Sequence, residues 1–405
     1  MSALGLPEAA ALASVVASPR PLPEPVRSHA ARRDLRLDFF RGLSLMLIFI
    51  DHISENFFSY FTLQALTFFD AAEVFIFVSG FTAALVYGRR LATSGALYAS
   101  AQVLRRVWQL YVAHVFLFVI FIAEVSYTAS AFRNPMYNEE MRVTDFLGEP
   151  HLAIMQALIL QFQPTFLDIL PLYIVMLGVF PLILLGLRVH WALVVVPSAG
   201  LYLAVQLLGI AVPAYPTGHV WFFNPLAWQF LFVVGAALGY RLVQGRDMAA
   251  LVRLLYPVAL LIFIVCLLVK VTWTLHGVWD GFPGLFIKTL WPVNKNNLSP
   301  IRLIPFFALI VLVAAHVPPG AGFLRSAAAR PLLVCGSHSL EIFCLSILLS
   351  ALGHFILSEY NSGLVMQFVV NAGGIATMIL VAKVIDWYRM MERSPAAAAG
   401  ESLPR

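Results

Sequence analysis

An arginine and a histidine eleven residues apart are the first side chains in this sequence whose types and spacing can do chemistry. Arg41 and His52 lie in the largely apolar segment DLRLDFFRGLSLMLIFIDHISENFF. On an α-helix this spacing places both side chains on one face, about 16 Å apart along the axis. A neutral imidazole near pH 7 can remove a proton from a hydroxyl group. The pair therefore predicts a general base at His52, with Arg41 nearer the other end of the helix.

Carboxylates surround this histidine in the sequence. Asp38 and Glu55 fall on the same predicted helical face as Arg41, and Asp51 or Glu55 is placed to orient an imidazolium. In the next apolar segment, Glu73 is predicted to pair with His52 or with a cation. Ionisable groups in an apolar helix are costly and therefore mark candidate functional sites. The alternative for His52 is a structural histidine bonded to a neighbouring helix, but the nearby carboxylates favour catalysis.

Three further groups of polar residues qualify as candidates. Arg105 and Arg106 suit bidentate phosphate binding, although without the other motifs they would be read as basic anchors at the cytoplasmic surface. His338 and Glu341 lie one helical turn apart, and Asp168 precedes a proline at a helix start, where it is either functional or only a cap. Trp291, Lys295 and Asn297 occupy a polar segment, 276–299, whose aromatic and amide side chains suit a carbohydrate or, equally, a membrane-surface aromatic belt.

The elements that must position these residues are membrane-spanning helices. Of the 405 residues, 60% are hydrophobic and 12% are charged, and the mean hydropathy is +0.85. Such a composition excludes a water-soluble globular domain. We predict an all-α polytopic membrane protein of about ten transmembrane helices with a short interfacial helix at 151–163. The predicted spans are 38–58, 70–88, 104–125, 168–187, 190–211, 225–243, 254–275, 300–317, 333–356 and 363–386.

Charge sets the expected orientation and the domain limits. Basic residues concentrate in alternate loops, which predicts that both termini are cytoplasmic. We expect a disordered cytoplasmic tail at 1–36, a transmembrane domain at 37–390 and a second cytoplasmic tail at 391–405. Cys266, Cys335 and Cys344 lie in apolar runs without metal-binding spacing, so no metal site is predicted. The net charge of +5 is read as membrane orientation rather than nucleic-acid binding.

The motifs as a set resemble those of known acyltransferases. The spacing of Arg41 and His52, the segment AAEVFIFVSGF and the segment RVWQLY resemble the membrane acyltransferase family 3 superfamily, with Glu73 where that family usually has aspartate and Val103 where it has a first arginine. A closer resemblance is to the OpgC group, the succinyltransferases of osmoregulated periplasmic glucans. The segments that carry it are RDLRLDFFRG, FIDHI, LDILPLY, WPVNKNNLSP and HSLEIF. This resemblance covers residues ~32 to ~390.

The resemblance implies an O-acyltransferase in a bacterial inner membrane that moves an acyl group from acyl-CoA, with succinyl-CoA as the expected donor, to a periplasmic glucan. His52 is expected to activate a glucose hydroxyl directly or to carry the acyl group covalently. No permanently bound cofactor is expected, and the oligomeric state stays open. The expected donor-binding residues are Arg41, Asp38, Arg105, Arg106, His338 and Glu341. The expected glucan-binding residues are Asp168, Trp291, Lys295, Asn297 and Arg302.

Two other readings of the sequence stay open. One is an O-acetyltransferase that acts on lipopolysaccharide, exopolysaccharide or peptidoglycan. The other is a transporter of an anionic metabolite, in which the face carrying Arg41 and His52 lines a pathway. The absence of an internal repeat in the sequence ranks the transporter lower. A structural scaffold does not explain the charges inside apolar helices.

Overall fold

The computed structural model describes residues 34–274 and 293–392, and this part of the chain is almost entirely helical. Two short 3₁₀ helices occupy Phe57–Phe61 and Gly322–Arg325, and a two-stranded antiparallel ribbon pairs β1, Pro213–Ala214, with β2, His219–Val220. The α-helices are α1 Leu35–Asp51, α2 Leu63–Leu66, α3 Ala71–Ala131, α4 Met136–Glu140, α5 Thr144–Gly148, α6 Pro150–Leu158, α7 Ile169–Val189, α8 Ala192–Leu208, α9 Pro225–Val243, α10 Ala249–Thr274, α11 Pro300–His316, α12 Arg330–Ser337, α13 Ser339–Glu359 and α14 Leu364–Glu392.

Helix α1 is shorter than the predicted span 38–58, which is a correction to the sequence analysis. The backbone N–H of His52 still bonds to the carbonyl of Ile48 at 3.0 Å, and the helix then ends. The Asn56 amide donates to the carbonyl of Ile50 at 3.0 Å and so satisfies one of the acceptors that a helix end leaves open. Glu55 follows with φ of 55° and is exposed. The predicted helical face therefore reaches His52 but not Glu55.

Helix α3 combines two predicted spans, 70–88 and 104–125, and breaks between them at Gly95. This glycine has φ of 85° and ψ of 170°, a conformation that is essentially restricted to glycine. On a straight helix Ser79 and Leu110 would lie about 46 Å apart. Both line one small cavity, so the two halves of α3 fold back on each other at Gly95.

Glycines allow the helices around α1 and α3 to approach closely. A Cβ atom on Gly42 would overlap the backbone carbonyl of Leu332 in α12, and one on Gly80 would overlap that of Phe232 in α9. Small residues at such crossings are the usual means of close packing between membrane helices. Gly80 thus lets α3 pack closely on α9, and Gly42 lets α12 pack closely on α1 beside Arg41.

Six of the described helices are long and apolar enough to cross a membrane: α3, α7, α9, α10, α13 and α14. Helices α8 and α11 are apolar but have only 17 residues each. Helix α1 also has 17 residues, and four of them are charged, including Asp38 and Arg41. The count of about ten spans therefore stays a prediction. The predicted interfacial helix at 151–163 corresponds to the nine residues of α6.

The predicted tails lie mostly outside the described residues. Helix α1 begins at Leu35, within the segment predicted as a tail, and α14 continues to Glu392. The predicted limits of the transmembrane domain and of the two tails stay predictions.

Candidate active site

His52 lies in a cavity of about 100 Å³, called here the base cavity, between the end of α1, the start of α3 and the start of α7. Its walls combine carboxylate, amide, ammonium and aromatic groups. The lining residues are Ile48, Asp51, His52, Gln64, Asp70, Ala71, Ala72, Phe166, Asp168, Ile169, Phe223, Lys295 and Phe343. Three of the predicted site residues beside His52 therefore meet here: Asp51, Asp168 and Lys295.

The hydrogen bonding of the His52 ring fixes which nitrogen can act as a base. Nδ1 lies 2.7 Å from the carbonyl oxygen of Ile48, and a carbonyl only accepts, so Nδ1 carries the hydrogen. Nε2 then holds the free lone pair. Phe166 packs its ring edge-on against the imidazole at a centroid distance of 4.5 Å. The orienting group is therefore a backbone carbonyl of α1, whereas the sequence predicted the carboxylate of Asp51 or Glu55.

Asp51 contributes a second polar group to the base cavity. Its Oδ1 accepts a hydrogen bond of 2.9 Å from Nε2 of Gln64 in α2. Asp168 lies immediately before α7 and also lines the base cavity. Both predicted alternatives for Asp168, a helix cap and a functional carboxylate, stay predictions.

A buried charge cluster of Asp70, Glu73, Lys295 and Arg302 forms one wall of the site. Asp70 and Glu73 form a capping box at the start of α3: Asp70 Oδ1 accepts from the N–H of Ala72 at 2.9 Å, and Glu73 Oε2 accepts from that of Asp70 at 3.0 Å. Arg302 donates through Nε to Glu73 Oε1 at 2.7 Å and through Nη2 to Asp70 Oδ2 at 3.0 Å.

Lys295 completes the cluster on the side of the base cavity. Its ammonium lies 2.7 Å from Asp70 Oδ2 and within 6 Å of the ring centroids of Phe222 and Phe223. Burial lowers the pKa of Lys295, but the attraction of Asp70 and Glu73 outweighs it, so the pKa lies above the ordinary value for lysine. Lys295 therefore stays positively charged throughout the neutral pH range.

The loop that carries Lys295 is held by hydrogen bonds to its backbone and amides. Trp228 Nε1 donates to the carbonyls of Lys295 and Asn296, both at 3.1 Å. The Asn297 side-chain oxygen accepts from the amide of Asn224 at 3.0 Å, and its backbone carbonyl accepts from Gln206 at 2.6 Å. Asn297, a predicted glucan-binding residue, thus has a structural function in fixing the position of Lys295.

Arg41 lies in a second cavity of about 160 Å³, called here the arginine cavity, between α1, both halves of α3, α7 and α13. Arg106 faces the same space, and Tyr87, Tyr173, Ser79 and Ser339 supply hydroxyl groups. Two guanidinium groups with nearby hydroxyls form a setting that suits phosphate groups. The fold at Gly95 creates this arrangement, because it brings Arg106 back beside Ser79.

An aromatic pair separates the two cavities. Phe343 lines both of them, and its ring stacks on Phe75 at a centroid distance of 5.9 Å. The first two residues of α7 also lie between the cavities: Ile169 lines the base cavity, and Leu170 lines the arginine cavity. Arg41 and His52 thus lie in two polar-lined cavities that share one side-chain wall.

A third cavity, of about 240 Å³, adjoins the base cavity on the side of α10 and is called here the outer cavity. Gln64, Asp70 and Lys295 line both spaces. The outer cavity adds Trp273, Lys270 and Arg302. It therefore provides an indole ring and cations within one side-chain layer of His52.

The remaining predicted site residues lie elsewhere. Arg105 and Glu55 are exposed, and Asp38 is buried where α12 packs against its backbone. His338 lies 3.5 Å from Asp386, and Glu341 forms a 2.7 Å ion pair with Arg389, so both pack against α14. Trp291 lies outside the described residues. The roles of these residues in binding either substrate stay predictions.

Several lining residues were not identified from the sequence. Asp70 could have been identified from the sequence, because an aspartate followed three residues later by a glutamate is typical of a capping box at a helix start. Phe343, Phe166 and Gln64 gave none, since they are ordinary residues in apolar or polar runs. Their positions depend on contacts between segments far apart in the chain.

Comparison with known protein families agrees with the motifs distributed around these cavities. The family model described as OpgC protein matches residues 33–390. The chain belongs to the OpgC protein family. The match covers α1 and every other helix that lines the base and arginine cavities. No match was found among curated proteins. OpgC membership points to a glucan-modifying acyltransferase, and the base and arginine cavities are the places where its chemistry is to be sought.

Proposed function

We propose that this protein is a membrane-embedded O-acyltransferase that moves a succinyl group from succinyl-CoA to hydroxyl groups of a periplasmic glucan. The observation that carries the proposal is the position of His52, whose Nδ1 is bonded to Ile48 and which lines a polar cavity one aromatic wall away from a cavity with two arginines. A base beside an anion site is what acyl transfer from a phosphorylated thioester to an alcohol requires.

The arginine cavity suits the donor. Coenzyme A carries phosphates at one end and its thioester at the other, so the charged end binds where Arg41 and Arg106 converge. The thiol arm then extends along α1 past Phe343 and brings the thioester carbonyl to the base cavity. The eleven-residue separation of Arg41 and His52, about 16 Å, sets the length that the arm must cover.

The chemical step uses Nε2 of His52 as general base. Nε2 takes the proton of a glucan hydroxyl while the hydroxyl oxygen attacks the thioester carbonyl. The tetrahedral intermediate collapses, the carbon–sulfur bond breaks, and the coenzyme A thiolate leaves and receives a proton. The hydrogen bond from Nδ1 to Ile48 stabilises the imidazolium that forms between these steps. In the two-step alternative, Nε2 attacks the thioester itself.

The outer cavity suits the acceptor. The indole of Trp273 offers a face for a sugar ring, and the cavity joins the base cavity at Gln64, Asp70 and Lys295. Lys295 also supports succinyl as the transferred group. It supplies a positive charge beside His52, where the second carboxylate of a succinyl group would lie, and an acetyl group would leave that charge without a new partner.

We further propose that the chain lies in a bacterial inner membrane with both termini in the cytoplasm. This orientation places the arginine cavity on the cytoplasmic side, where acyl-CoA is made, and the outer cavity on the periplasmic side. The long apolar helices support a membrane location, and the distribution of arginine and lysine supports the orientation. The resemblance of the motifs around Arg41, His52 and Glu73 supports placement in the membrane acyltransferase family 3 superfamily.

Mass spectrometry of periplasmic glucans tests the proposal in cells. A strain that lacks this chain is complemented with the wild-type protein, with His52→Asn or with His114→Asn. His114 is a matched control, because it is a buried histidine of α3 outside the base cavity. We expect succinylated glucan with the wild type and His114→Asn and none with His52→Asn, at equal membrane levels of protein. Acetyl in place of succinyl would refute the assigned donor, and glucan acylation by His52→Asn would refute the assigned base.

A further inference from the structure

The largest of these cavities lies outside the candidate active site and is called here the lateral cleft. It encloses about 620 Å³ between α1, α3, α9, α10 and α11, beside the face of α1 that carries Arg41 and His52. Its walls are mainly aliphatic and aromatic, with Phe40 and Leu47 from α1 and Phe77 and Phe81 from α3. Only 6% of the apolar stretch of α10 is buried, so the outer wall of the cleft is a helix with most of its surface facing away from the bundle.

The dimensions of the lateral cleft match one leaflet of a bilayer. It extends along α1 from Arg36 to Leu47, eleven residues or about 16 Å, and half of a bilayer hydrocarbon core is about 15 Å. Its volume lies within the usual range of sites for small molecules, about 300–1,000 Å³. The cleft therefore has the length and the volume that suit hydrocarbon chains.

One end of the lateral cleft carries charge. Arg36 and Arg253 lie at this mouth, together with the first residues of α1 and α10. Arg36 donates to the carbonyl of Val317 at 3.0 Å, which ties the start of α1 to the end of α11. Asp247 also lines the mouth, but its carboxylate accepts from the N–H of Ala249 and so caps α10. Arg253 is exposed there, one turn into α10.

We propose that the lateral cleft is a binding site for a phospholipid with an anionic head group. The acyl chain occupies the apolar cleft, and the phosphate lies at Arg253 and the first turn of α10, where a helix start favours negative charge. An uncharged lipid would fill the same volume without using the arginine. The bound chain packs against α1 between Arg36 and Leu47, so the lipid is a structural ligand of the helix that ends at His52.

The test measures lipid binding to the purified full-length protein by native mass spectrometry, with phosphatidylglycerol and phosphatidylcholine as probes. Arg253→Gln is compared with Arg246→Gln, which removes an exposed arginine from the turn just before α10. Ala314→Trp fills the cleft, and Ala376→Trp places the same side chain on the exposed surface of α14. Thermal unfolding with each lipid is recorded in parallel.

We expect one tightly bound phosphatidylglycerol on the wild type and an affinity about five-fold weaker in Arg253→Gln, as for the loss of one basic contact with an anionic lipid. Arg246→Gln should bind as the wild type does. Ala314→Trp should lose the bound lipid, and Ala376→Trp should keep it. Equal binding of both lipids, or equal effects of the two arginine variants, would overturn the anionic head group. Retention of the lipid by Ala314→Trp would overturn the cleft as its binding site. If Ala314→Trp fails to fold, the comparison of Arg253→Gln with Arg246→Gln still tests the proposal.

Discussion

Removal of Arg302 should lower the stability of this protein more than removal of Lys295, the second cation of the same charge cluster. Arg302 is 7% exposed and bridges Glu73, which is fully buried, and Asp70, which is 8% exposed. We expect Arg302→Met to fill the space of the side chain but to leave Glu73 without a cation. Lys295 still pairs with Asp70 in this variant, so the damage falls on Glu73.

The magnitude follows from burial. Loss of one partner from a buried ion pair costs about 3–5 kcal/mol, because the other charge stays desolvated. Lys295→Met removes a partly exposed cation whose partner keeps Arg302, and its cost should be about 1–2 kcal/mol. Lys295 faces His52 across the base cavity, however, so this milder change should remove acyl transfer. The double variant Arg302→Met with Glu73→Gln should recover part of the cost of Arg302→Met alone.

Equilibrium unfolding in mixed micelles gives the free energy of unfolding of each variant, and transfer of labelled acyl groups gives the activity. Lys295→Met is the matched control for Arg302→Met, because both changes remove one cation from the same cluster. A cost below about 1 kcal/mol for Arg302→Met would refute the reasoning, since Glu73 would then not depend on it. If the double variant recovers none of the stability lost in Arg302→Met, that loss arises from packing rather than from the unpaired charge of Glu73.

Three further outcomes follow from the same contacts. Gly42→Ala and Gly336→Ala should each lower the free energy of unfolding by about 1–3 kcal/mol, because each new Cβ overlaps a facing backbone carbonyl. Gly373→Ala is the control and should leave the free energy of unfolding unchanged, because its Cβ meets open space. Phe343→Trp should enlarge the wall between the two cavities and slow acyl transfer while coenzyme A binding, measured by calorimetry, stays as in the wild type. Lys295→Met should lose activity equally from about pH 6 to pH 9, because the raised pKa keeps Lys295 charged over that range; a loss confined to one end of the range would contradict the assigned charge.

The sequence located the chemistry along the chain but not the contacts between distant segments. Apolar runs placed every long helix, and the spacing of Arg41 and His52 correctly assigned them to one helix and its end. The end of α1 was missed because apolar residues resume at Phe57 and Phe58, which extends the apolar pattern past His52. What stops the helix there is the amide of Asn56, which also bonds to Asn371, 315 residues away.

The charge cluster shows the same limit. Glu73 was predicted to pair with a cation, and Arg302 was predicted to face the glucan, but no local pattern connects two residues 229 positions apart. The wall formed by Phe75 and Phe343 was also beyond local reasoning, since both are ordinary phenylalanines in apolar helices. Gly95 was read as part of a loop between two spans, and its positive φ gives that loop the form of a sharp break within a continuous helical segment.

The central claim is that His52 transfers an acyl group which enters from the side of Arg41. The most direct measurement uses the purified protein in sealed vesicles, with labelled succinyl-CoA on one side and glucan on the other. The wild type should esterify the glucan across the membrane, and Arg41→Gln should require more donor for the same rate. His52→Asn should give no labelled glucan although it binds coenzyme A normally. Labelled glucan at the wild-type rate with His52→Asn, or none with the wild type itself, would contradict the account.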